Sequence, residues 1–341
     1  MLRRLVAVTT AVFLSACVSH GVMATPPTAG GTASIGLAAR RASPDAIIEK
    51  HVLSQNAGPL GIVTGPDGNI WFTENLKNKI GRLDSTNHIT EFAIPTLNSH
   101  PNHIIVGPDG DLWFSEATGD KVAKITTAGT ITEFPLPKIH SEPNGLAVGP
   151  DGKVWFAETF HNRIGKIAPA TGAITEIKLP HPNSEPASIA KAPNGSMWFT
   201  EFVGDRIGEV KIDGSIAEFP IPTASAAPAG IAAGPDGAIW FVEEGASKVG
   251  RITKRGRFSE FPTTTAGAKP LAITPGPSGQ NDLWFTEPGA NNIAKVTTSG
   301  AITEIGVPTA NSEPHDIFVG AGSVVWFTEF AADQIGSDTS P

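Results

Sequence analysis

The chain has a single cysteine, Cys17, and no tyrosine. One thiol excludes an internal disulfide framework and every multi-cysteine metal pattern, so any metal would take oxygen or imidazole ligands. Charged residues are scarce at 17%, and 33 acidic against 25 basic side chains leave a formal net charge of -8. That balance offers nothing to a phosphate backbone and argues against a nucleic-acid partner. No G-x-S-x-G elbow, Walker A loop or dinucleotide fingerprint stands in a suitable context, which argues against common hydrolase and nucleotide chemistry. What the chain does have is turn-formers, 37 Gly and 29 Pro in 341 residues.

The most apolar stretch, residues 5–16, follows Arg3 and Arg4 and is too short to span a bilayer. Residues 1–17 therefore read as an export signal. It ends in Leu14-Ser15-Ala16-Cys17, which resembles the bacterial lipobox and would make Cys17 the lipidation site. The alternative is an ordinary secretory signal cut after Ala24. Either way the protein is exported, to the periplasm or cell envelope, and meets a membrane only through a lipid anchor at Cys17. Residues 18–45, rich in Ala, Gly, Thr, Ser and Pro, read as a flexible tether.

Residues 46–341 repeat. Trp71, Trp113, Trp155, Trp198, Trp240, Trp284 and Trp326 are spaced by 42, 42, 43, 42, 44 and 42 residues and are every Trp in the chain. Each opens a Trp-Phe-x-Glu segment, preceded by a Gly-Pro-Asp-Gly turn or a variant. Each is followed by pieces like Lys79-Ile80-Gly81-Arg82 and Ile89-Thr90-Glu91-Phe92. The pieces are β-branched and aromatic, with no helical spacing, so each unit contains four short strands. This period predicts an all-β fold, a seven-bladed β-propeller. The last unit lacks a fourth strand, and residues 47–52 resemble one, so the N-terminal strand is expected to close the last blade.

With strands lettered a to d in each blade, the start of a, the end of b, the start of c and the end of d share one face, here the top. His100, His103, His140, His161, His181 and His315 map there, which marks the top as the functional face. Glu74, Glu116, Glu158, Glu201, Glu243, Glu287 and Glu329 end each Trp-Phe-x-Glu. A residue present in every repeat usually serves the repeat. Five residues later stand Lys79, Lys121, Arg163, Arg206 and Lys248, an expected cationic neighbour, but Asn292 and Gln334 in the last two blades. Glu287 and Glu329 are therefore expected to be freer to bind a cation or tune a base. The residue after the Pro that begins strand a is Leu60, Asn102, Asn144, Ala187, Ala229, Leu271 and His315. Only His315 titrates, and with Glu313 and Glu329 nearby it suits a general base beside a hard divalent ion. A competing constellation, His100 and His103 with Glu116, His140 and Glu142, could ligate zinc.

The repeat Gly-Pro-Asp-Gly-x-x-Trp-Phe-Thr-Glu-x-x-x-x-Lys-Ile-Gly-Arg, followed by Ile-Thr-Glu-Phe, resembles the virginiamycin B (streptogramin B) lyase family over residues 46–336. The resemblance implies a magnesium-dependent carbon-oxygen lyase that opens a cyclic depsipeptide by elimination. It implies Glu313 and Glu329 as magnesium ligands and His315 as the base. The family's substrate-contacting His in the sixth blade is Leu271 here, the Tyr of the first blade is Leu60, and Pro288 falls where the lyases carry a Trp. The expected substrate is thus a small cyclic ester or depsipeptide, not necessarily a streptogramin, and the expected state is a monomer. Two other functions fit the sequence. One is a non-catalytic envelope propeller binding a peptide, glycan or protein. The other is a calcium- or zinc-dependent lactonase using His103 or Glu116.

Overall fold

The computed structural model describes residues 48–339; the export signal, Cys17 and the tether fall outside the described residues. Seven four-stranded antiparallel sheets each follow the order a-b-c-d. Six are built from consecutive strands. In the seventh, strand d is Ile48–Val52, paired with strand c, Gln334–Asp338. The N-terminal strand closes the ring as the sequence predicted.

The blade-one turn explains its motif. Gly68 N–H donates to Gly65 O at 3.0 Å across Pro66-Asp67, and Gly68 has φ 78°, a left-handed value that suits glycine. The Asp of the turn also anchors the indole. Asp67 Oδ1 accepts the Trp71 indole N–H at 3.0 Å, and Asp109, Asp151 and Asp236 do the same for Trp113, Trp155 and Trp240. A Cβ on Gly65 would lie 2.4 Å from Trp71 Cδ1, so the turn glycine makes room for the ring that the turn orients.

Every Trp except Trp326 is essentially fully buried, as is the Phe beside it. Trp71 packs with Ile104 and Phe114 of the next blade, so the core is a set of inter-blade layers. Trp71 stacks on Phe92 of its own strand d at 5.5 Å, and in the closing blade His51 takes that place over Trp326 at 5.4 Å. Strand a of each blade packs against strand a of the next. These innermost strands ring the central channel and position the site.

Candidate functional site

Strand a carries an irregularity in every blade except the sixth, where it is cut to Ile273–Pro275. In blade seven Pro314 pairs with Glu329 and Ile317 with Phe327, so His315 and Asp316 together oppose Thr328 alone. Such a bulge re-aims side chains. Here it sets two consecutive residues of the innermost strand against a single partner residue. A hydroxyl holds the bulge: Thr328 Oγ1 accepts Asp316 N–H at 2.9 Å and donates to Leu60 O in blade one at 2.8 Å. One blade back, Thr286 Oγ1 donates to His315 O at 2.8 Å, fixing the backbone of His315 from blade six.

His315 is half-buried, with its ring centroid 6.1 Å from that of Phe330. Burial pushes its pKa down to about 4, so the imidazole is neutral and can accept a proton. Glu313, two residues earlier, is exposed, and its carbonyl accepts Phe330 N–H at 3.2 Å. Its φ is 52°, and the residue before the strand-a Pro is left-handed in every blade, from Gly58 and His100 to Lys269. The conformation is therefore a property of the repeat.

Glu329 is fully buried, as are the six equivalent glutamates. Four of the five cations expected beside them pair elsewhere. Lys79 pairs with Glu91, Lys121 with Glu133 at 2.6 Å, Arg163 with Glu176 at 3.5 Å and Lys248 with Glu260 at 3.0 Å, all carboxylates of strand d. Burial therefore pushes Glu74, Glu116, Glu158, Glu201 and Glu243 up to about 7, and in each case a strand-d glutamate adds to the shift. Glu287, expected to be freer, accepts a hydrogen bond from Asn292 Nδ2 at 3.1 Å.

Blade seven differs. The strand-d register position held by Glu91, Glu133, Glu176, Glu218, Glu260 and Glu304 in the other blades is Lys50, opposite Gly336. Burial raises the Glu329 pKa, while Thr309, Ser312 and the charge of Lys50 oppose the rise. Neither Glu329 oxygen receives a well-aligned hydrogen bond. Blade seven thus combines a buried carboxylate, a cation that favours its charged form, an exposed carboxylate and a neutral imidazole. Among the described residues no group of three or more His, Cys, Asp or Glu side chains forms a ready-made metal cage. Two carboxylates suffice for magnesium, which keeps several waters, so Glu313 and Glu329 fit that ion by donor chemistry.

The zinc constellation is dispersed. His100 Nδ1 lies 3.2 Å from Asn75 Oδ1 and the His140 backbone N–H donates to Asp120 at 2.7 Å, and among the described residues these side chains form no group of three ligands. Burial, with Asp120 and Glu185, pushes Glu142 up to about 7. His103 instead lines the channel, where its Nδ1 accepts Leu146 N–H from blade three at 3.2 Å. Asp316, which sequence reasoning missed, is coupled to it: burial raises the Asp316 pKa and lowers that of His103, each opposed by the other's charge. Comparing the second residue after the strand-a Pro across the repeats would have found it, since only His103 and Asp316 are ionisable there. Leu60 is buried, Leu271 is part-buried against the core cluster between blades five and six, and Pro288 opens a short 3-10 turn, Pro288–Ala290.

Fold and site together define a closed seven-bladed propeller with a histidine, two carboxylates and a polar channel wall at one mouth. Residues 45–338 match the model of the virginiamycin B lyase family, and the chain belongs to that family. It is 38% identical to the virginiamycin B lyase of Staphylococcus aureus, covering 86% of this chain and 99% of that one, with a TM-score of 0.83. A streptogramin B lyase structure is 40% identical over 86% of this chain and 97% of that one, TM-score 0.82. A catalytically inactive histidine-to-alanine variant of the S. aureus enzyme, solved with quinupristin, is 37% identical over 86% and 99%, TM-score 0.82. Comparison with curated proteins returns no match.

Proposed function

We propose that the protein is a carbon-oxygen lyase that opens a small cyclic ester or depsipeptide by elimination, with His315 as the base. The observation that carries this reading is His315 itself, the only titratable residue in its ring of strand-a positions, neutral and flanked by Glu313 and Glu329. Family membership and the histidine-dependent activity named for the S. aureus relative support it.

In the reaction, His315 takes the proton from the carbon adjacent to the one that bears the ester oxygen, on the alcohol side of the ester, where a neighbouring carbonyl acidifies that C–H. The electron pair left there forms a C=C bond to the neighbouring carbon as its C–O bond breaks, and the former ester oxygen leaves as a carboxylate. A weakly basic imidazole needs an acidified C–H, and a magnesium ion held by Glu313 and Glu329 would supply that by polarising the carbonyl. Thr286 holds the His315 backbone, and Phe330 packs near the ring.

A second reading, a propeller that binds a peptide, glycan or protein without turnover, is favoured by an apolar rim. Leu76, Leu97, Ile139, Phe160 and Val203, all on top-face loops, are exposed. Mass spectrometry separates the two. Quinupristin incubated with the protein and magnesium should keep its mass while its retention time shifts, whereas hydrolysis would add a water. His315→Ala should abolish the change. Unaltered quinupristin with the unmodified protein would remove streptogramins from the substrate class.

A further inference from the structure

The channel wall holds a second functional group that the elimination chemistry leaves unused. The residues two after the strand-a Pro form a ring: Gly61, His103, Gly145, Ser188, Gly230, Ala272 and Asp316. Glycine recurs because the strands crowd together there. A Cβ on Gly61 would lie 2.6 Å from Asn102 O and 3.0 Å from His103 Cα. Gly61 thus leaves no side chain between His103 of blade two and Asp316 of blade seven.

The two are not equivalent. Asp316 uses both oxygens internally, accepting Ile62 N–H at 3.0 Å and Ile317 N–H at 2.9 Å. His103 accepts Leu146 N–H on Nδ1, so that nitrogen carries no proton and Nε2 carries it instead. Among the described residues no protein group accepts from Nε2, although the side chain is only half-buried at the channel wall. His103 is therefore held as a neutral tautomer with one spare donor.

We propose that His103 is a substrate-binding residue whose Nε2–H donates to a neutral carbonyl oxygen, ester or amide, of the ring received at the channel mouth. The proposal rests on the lyase reading of the same mouth. A carboxylate ligand would meet Asp316 across Gly61, which leaves an uncharged acceptor as the better fit. Across the channel, Ala187, Ala229 and Leu271 carry no polar side-chain atom and Ser188 supplies the single hydroxyl at these positions of blades four to six, while Asn102 spends its Nδ2 on Asn144 Oδ1 at 2.9 Å. A donor locked in one tautomer selects substrates that present a carbonyl to it, because an analogue without one leaves the donor unpaired. His103 thus acts in specificity, and His315 in proton removal.

The test is calorimetric binding of quinupristin to the full-length His315→Ala protein with magnesium, so that no turnover intervenes, beside the His315→Ala/His103→Leu double variant. The expected result is binding weakened by roughly 10- to 100-fold in the double variant. Because His103→Leu also frees Leu146 N–H, 15N NMR of histidine-labelled His315→Ala protein gives an independent reading. The His103 Nε2 resonance should report a protonated nitrogen before ligand and shift on adding quinupristin, while Nδ1 stays an acceptor. Equal affinity in the two proteins with an unmoved Nε2 resonance would overturn the role of His103 and leave the lyase reading standing. If His315→Ala with His103 intact takes up no quinupristin, streptogramins leave the substrate class and the proposed contact of His103 with such a ring is overturned.

Discussion

Glu74 illustrates how far a residue's role can be read from its neighbours in sequence. Lys79 is five residues away and directly across the b–c hairpin, yet it pairs with Glu91. The reason is solvation. Glu91 is part exposed, so the ammonium keeps some water, whereas joining Glu74 would bury both charges. Spacing identified the two partners but could not decide between them, because exposure is a property of the assembled blade. The consequence can be measured. The folded pKa of Glu74, about 7, lies above its ordinary 4.5, so folding favours the protonated form. That stabilisation is fully present below about pH 4.5 and is lost as pH rises through about 7. Glu74→Gln keeps the size and removes the charge. It should raise stability at pH 8 by on the order of 2 kcal/mol and leave it little changed at pH 5, measured by thermal melts at both pH values. An equal effect at the two pH values would mean that the carboxylate is ionised in neither condition or in both.

At the scale of the strand, repeats made the architecture legible and left the bulge hidden. The Trp spacing and the Trp-Phe-x-Glu segment set which residues begin and end each strand, and the seven sheets follow that pattern. Comparing only the residue after the strand-a Pro singles out His315 and leaves out Asp316, which strict alternation would send to the opposite face. The bulge between Pro314 and Ile317 sets both opposite Thr328 and so breaks the alternation, and the hydroxyls that hold it come from neighbouring strands. Thr286 and Thr200 hold equivalent positions: Thr286 donates to His315 O at 2.8 Å, Thr200 to Ala229 O at 2.7 Å. Replacing either with Val leaves a carbonyl unpaired and should cost about 1–2 kcal/mol. Only Thr286→Val should also lower kcat, because only it loosens the backbone beneath the base; a drop of about tenfold is expected, with Thr200→Val near the parent value. Matched melting temperatures with matched kcat in the two variants would mean that His315 does not depend on this staple.

The whole ring adds something no single repeat contains. Blade seven is assembled from both ends of the chain, and the closing strand was recognisable because residues 47–52 imitate the other fourth strands. The imitation is incomplete, and two of its departures bear on the blade. His51 replaces the stacking Phe, and Lys50 replaces the strand-d glutamate. The second substitution reverses the charge beside Glu329, so the blade that carries His315 also carries the one buried glutamate with a cation where its siblings have an anion. It was invisible in a reading that followed Glu329 only to Gln334, five residues downstream, because Lys50 lies at the other end of the sequence. If Glu329 serves as a ligand, that charge helps keep it anionic. Lys50→Glu, which restores the pattern of the other blades, should then weaken magnesium binding. Lys50 is exposed and its field is screened, so the expected loss is modest, about 3- to 10-fold in Kd by calorimetry at low ionic strength and smaller in high salt. Lys50→Gln should fall between the parent and Lys50→Glu. Affinity that is equal in all three proteins would separate the closing strand's charge from metal binding, and the strand's part in the site would then be confined to closing the ring.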